Sequence, residues 1–122
     1  MSRWKEVEAP SLEEIVEMAE AARAALPEAF RPGAAEVVLH VEEFAADALL
    51  DEMDIDDAFE LTGLYEGVPL TEKSVADPTG PDVIWLFRRP ILDEWVARGD
   101  VALDALVAHV FVHELAHHFG WS

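Results

Sequence analysis

Inside an otherwise apolar C-terminal segment, residues 101–122, the chain carries His113-Glu-Leu-Ala-His117. Side chains four residues apart share one helix face, stacked about one turn apart. Two neutral imidazoles so placed can both reach a single Zn²⁺ at roughly 2.0–2.1 Å. Glu114 lies about 100° further round the helix, because 3.6 residues make a turn. From there it flanks an ion without binding it, and can take a proton from water that the ion activates. The pattern calls for a helix. It nominates His113 and His117 as ligands of one Zn²⁺ per chain, with Glu114 as general base.

The surrounding residues sharpen this. Val101, Leu103, Leu106, Val107, Val110, Phe111, Val112, Leu115 and Phe119 cover most directions of the helix, which reads as a core helix apolar almost all round. Imidazole and carboxylate groups in such a helix are costly without partners, and a bound cation partners both histidines at once. The competing explanation is chance occurrence of the pattern in a buried helix. His109 continues the same face one turn earlier. The outer members of three consecutive turns stand about 12 Å apart at their bases, too far for one ion to gather all three. His109 is therefore expected to be a hydrogen-bonded core or supporting residue. His118 falls on a different face and is not expected to ligate.

The whole chain sets the boundaries. Its 122 residues, 52% of them apolar, suffice for one domain with a real core, spanning 1–122 with residues 1–10 as a mobile arm. No run approaches the ~18 apolar residues of a membrane span, and the charged N-terminus lacks an apolar signal region. Without cysteine, disulfides and thiolate metal sites are excluded, and a cytoplasmic location is expected. A formal charge of −18 with only eight Lys and Arg argues against nucleic-acid binding. The acidic excess reads as a soluble, self-repelling surface. Oligomeric state is left open.

Taken in order, Ser11-Leu-Glu-Glu14 forms a capping box for a scaffold helix with Ile15, Met18, Ala22 and Leu26 on one stripe, closed by Pro27. Arg31-Pro-Gly33 reads as a turn. Residues 36–44 read as a strand with Val37, Leu39 and Val41 on one face and Val38, His40 and Glu42 on the other. His40 is expected to be a semi-exposed strand histidine rather than a ligand. The acidic stretch 45–60 lacks the central glycine of a calcium loop and reads as a solvated loop or short helix. Residues 61–74 are turns with one short strand at Leu64-Tyr65, and Tyr65 is either a core plug or a cleft residue able to donate to an oxyanion. A turn cluster at 77–81 precedes a strand over 82–88, apolar on both faces and so sheltered on both. Pro90 suits the first turn of a short helix over 91–98; Gly99 ends it and Asp100 caps the next. This order implies an α+β domain, with a small mixed sheet packed on the C-terminal helix.

The stretch His113-Glu-Leu-Ala-His-His-Phe-Gly120 resembles the zincin metallopeptidases, in particular the small bacterial members called minimal zincins. The resemblance extends to Gly63-Leu-Tyr-Glu-Gly-Val-Pro-Leu70 and Leu86-Phe-Arg-Arg-Pro-Ile-Leu92, and so covers roughly the second half of the chain. It implies a zincin-like fold and a sheet edge that accepts an extended peptide by β-augmentation. It also implies a third metal ligand three residues after Gly120, the position directly following Ser122. Failing that, the ligand is the Ser122 α-carboxylate, an upstream carboxylate, water or another molecule.

The implied activity is zinc-dependent hydrolysis of a peptide or protein substrate, with Glu114 moving the proton from water to the leaving amine. The alternatives are a non-catalytic regulatory or interaction module that keeps the metal site, and a metal-free structural domain.

Overall fold

A computed structural model describes residues 9–67 and 82–120. The expected arm over its first eight residues, the turn cluster at 77–81 and the tail after Gly120 lie outside the described residues. Helix α1 (Leu12–Ala24) opens on the expected capping box. Glu14 N–H donates to the Ser11 hydroxyl at 3.2 Å and Ser11 N–H to the Glu14 carboxylate at 3.0 Å. Just before it, the Pro10 carbonyl accepts from Arg88 Nε at 2.6 Å, so the chain is anchored by that residue.

The expected turn at 31–33 is instead helix α2 (Arg31–Ala35). Pro32 presets its first turn, and carbonyls in and just past its far end take further donors from outside. Arg23 Nη1 donates to the Ala34 and Val37 carbonyls, each at 2.7 Å, and His118 Nε2 lies 2.9 Å from the Gly33 oxygen. Strand β1 (Val38–Glu42) is shorter than expected, because Glu36 caps α2 and Val37 turns into the core. The acidic stretch holds helix α3 (Asp47–Glu52) and a 3₁₀ turn, Ala58–Glu60.

Strands β2 (Gly63–Glu66) and β3 (Val83–Phe87) complete a mixed sheet of order β1-β3-β2, with β1 parallel and β2 antiparallel to β3. Helix α4 (Arg88–Arg98) begins at Arg88 rather than Ile91 and stops at Gly99, which takes a left-handed φ of 73°. Helix α5 (Leu103–His118) starts from Ala102 with no side-chain cap, not from Asp100.

Ile84 and Leu86 of β3 are fully buried against Ile15 and Ala19 of α1 and Val107, Phe111 and Leu115 of α5. On the other face Phe87 packs with Ala45, Leu50 and Leu61, so β3 is sheltered on both sides as expected. The fold is thus α+β, with α5 and the scaffold helix α1 on one face of a three-stranded mixed sheet. Helix α5 departs from expectation in one respect: it is not apolar all round. His109, Val112, His113 and His117 form an exposed face. Among the described residues no helix is long and apolar enough to cross a membrane.

Candidate metal centre

His113 and His117 lie one turn apart on the exposed face of α5, with ring centroids 5.5 Å apart and planes at 89°. Two imidazoles bound tetrahedrally to one zinc at 2.0–2.1 Å would have centroids roughly 5 Å apart, so the observed spacing suits a shared ion. Both rings carry solvent-accessible nitrogen donors and no cysteine competes, a donor set proper to Zn²⁺.

Glu114 is half-buried where α5 meets β2. Burial pushes its carboxyl pKa above the usual range; His113, His117 and a hydrogen bond from the Tyr65 amide pull it back only in part. The strand can come this close because of Gly63. A Cβ there would stand 2.8 Å from Val110 Cγ1 and 3.4 Å from Glu114 Cγ, so a side chain would lift β2 off the helix.

Ladder parity explains the Tyr65 amide. Phe87 N–H donates to the Thr62 carbonyl at 2.9 Å. In an antiparallel pair hydrogen-bonded positions alternate, so Leu64 and Glu66 also bond to β3 while Gly63 and Tyr65 face away from it. The polar backbone groups of Gly63 and Tyr65 therefore line the edge of β2 that faces away from β3, beside Glu114.

The Tyr65 ring lies nearly parallel to that of His117, at 14° with centroids 6.3 Å apart. Its hydroxyl donates to Asp82 Oδ2 at 2.6 Å, and the same oxygen is 2.6 Å from His118 Nδ1. So Tyr65 packs against the edge of the core between His117 and Asp82, with its hydroxyl engaged by a buried carboxylate. Asp82 and His118 are 2% and 1% exposed. Gly67, at φ 152°, makes room for this carboxylate: a Cβ there would come within 2.5 Å of Asp82 Oδ1. Sequence reasoning passed over Asp82 and the role of His118. The available signals were the doubled His117-His118 and an acid directly preceding an apolar strand.

A family model described as zincin-like metallopeptidase matches residues 34–122, most of the chain. The chain belongs to that family. No curated protein matches it.

In this zincin-like metallopeptidase the remaining histidines fall into clear places. His40 is exposed and stacks on Trp85 at 4.9 Å, as expected of a strand-surface histidine. His109 does not sit in the core: it is exposed and, with Thr62, Arg98, His113 and Glu114, lines a cleft of about 220 Å³ running along α5 from the site. The reason is rotational: His109 shares the open face with His113. A larger hollow of about 380 Å³, walled by Phe44, Leu49, Trp85 and Phe87, lies on the far side of the sheet. Among the described residues its ionisable groups are Glu42 and Glu66, and neither imidazole lines it. Among the described residues no third His, Asp or Glu joins His113 and His117 in a cluster able to hold a metal.

Proposed function

We propose that the chain is a zinc-dependent peptidase in which His113 and His117 hold the ion and Glu114 is the general base. One observation carries this reading: Glu114 lies beside the His113–His117 pair and against strand β2. A general base must reach both the water it deprotonates and the bond being broken. The backbone edge of β2 that faces away from β3 can meet an extended peptide, laying its carbonyl over the helix.

When bound, zinc supplies Lewis acidity towards water and the peptide carbonyl. Glu114 takes a proton from the attacking water, whose oxygen adds to the carbonyl carbon. The carboxyl group then gives that proton to the leaving nitrogen as the C–N bond breaks. Burial favours the protonated form that the second half of this cycle needs, while the imidazoles and the Tyr65 amide favour the carboxylate needed in the first. The spacing of the His-Glu-x-x-His-x-x-Gly pattern nominates the position directly after Ser122 for the third ligand, with the Ser122 α-carboxylate, an upstream carboxylate, water or another molecule as the alternatives.

The test is cleavage of an unstructured protein such as casein by the zinc-loaded chain, with and without Asp or His added after Ser122, against Glu114→Gln. Cleavage abolished by Glu114→Gln supports a peptidase. Zinc binding without cleavage by either form supports the non-catalytic module.

A further inference from the structure

We infer that Asp82 is a positioning residue for the metal centre, holding the His117 imidazole through two arms that meet at its Oδ2 atom. The inference rests on the reading of His117 as a metal ligand. The first arm is Tyr65. Its hydroxyl donates to Asp82 Oδ2 at 2.6 Å, and its ring lies 14° from parallel to the His117 ring. The second arm is His118, the residue directly after His117. Its Nδ1 is 2.6 Å from the same oxygen, and its Nε2 is 2.9 Å from the Gly33 carbonyl. The last turn of α5 is thereby pinned to the start of β3 on one side and to α2 on the other.

The need for such a device follows from exposure. His117 is on the open face of the helix, where an imidazole is free to change rotamer unless something holds it. Asp82 and His118 are almost wholly buried, so each has a strong preference for the one arrangement in which its polar atoms are paired. Fixing Asp82 therefore fixes Tyr65 in angle, and the Tyr65 ring forms one wall of the space that His117 occupies. Gly67 is part of this arrangement, since any side chain there would displace the Asp82 carboxylate. Tyr65 thus stands behind His117 and Asp82 behind Tyr65, and groups that fix a ligand's orientation set metal affinity.

The experiment measures zinc dissociation constants by competition with a chromogenic chelator, on variants shown to be folded by circular dichroism. The variants are Asp82→Ala, Tyr65→Phe, Tyr65→Leu and His117→Ala. Ile15→Val, in the core away from the site, is the control for a purely structural loss. Removal of Asp82 is expected to weaken zinc about ten- to a hundredfold. Tyr65→Leu, which loses ring and hydroxyl, should weaken it more than Tyr65→Phe, which loses one oxygen. Ile15→Val should lower the thermal midpoint and leave the zinc constant unchanged. If Asp82→Ala does not fold, the ordered Tyr65 pair carries the test. The inference is overturned if the Asp82 and Tyr65 variants stay within about twofold of the parent while His117→Ala loses zinc. It is also overturned if Ile15→Val loses as much affinity as they do. Should the parent hold no zinc, or His117→Ala bind it equally well, the metal-centre reading itself fails and the inference with it.

Discussion

The backbone amide of Tyr65 faces the Glu114 carboxylate and lowers its pKa against the effect of burial, so the proposed general base stands beside strand β2. The strand proposed to bind peptide and the group proposed to transfer the proton are thus side by side. Replacing Glu114 with Gln keeps the amide's acceptor and removes the base. Turnover should fall about 10²- to 10⁴-fold while zinc content is unchanged. Parallel casein-cleavage and elemental assays check this.

The same residue sets a pH dependence of the metal-free fold. Because burial raises the Glu114 pKa, the folded chain binds that proton more tightly than the unfolded chain does. Ionisation therefore costs stability, in full above the raised folded pKa, and the cost is relieved as pH falls through it towards the unfolded value. Chelator-treated Glu114→Gln should unfold at a higher temperature than the parent at neutral pH. The gap should narrow on acidification through the range just above the usual carboxyl value. Thermal midpoints of both proteins across that range test the sign.

Close packing at Gly63 predicts a second effect. Gly63→Ala places a methyl group 2.8 Å from Val110 Cγ1 and 3.2 Å from the Trp85 carbonyl oxygen. Overpacking of this kind costs about 1–3 kcal/mol, readable as a lower urea midpoint. The variant also moves β2 away from Glu114, so peptidase activity should fall further than the loss of folded protein explains.

Elements with local signals were legible in the sequence. The Ser11–Glu14 box marked α1, Gly99 marked the end of α4, the β-branched run marked β1, and a run apolar on both faces marked β3. The His113–Glu114–His117 face followed from helical spacing alone. What escaped depends on distant partners. Helix α2 read as a turn because Pro32-Gly33 is turn chemistry, yet Arg23 and His118 supply donors to its carbonyls. The start of α5 was misplaced because Asp100 looked like a cap that the chain does not use. The His118–Asp82 pair joins residues 36 apart, and nothing in the sequence near either one announces the other. The core alternative for His109 failed because a helix with so many apolar residues read as buried on every side.

The third-ligand assignment makes its own prediction. Adding Asp or His directly after Ser122, with a few further residues, should tighten zinc on the order of tenfold or more, each decade being about 1.4 kcal/mol. Chelator competition on the 122-residue chain and the extended one measures it. Equal constants would remove that position from the site.

Elemental analysis of the purified chain tests the central claim most directly. The account predicts one zinc per chain in the parent and in Glu114→Gln, with loss in His113→Ala and in His117→Ala. Both imidazoles are exposed, so neither replacement should disturb the fold. Equal zinc in the parent and the doubly substituted chain would contradict the assignment of His113 and His117 as the metal ligands.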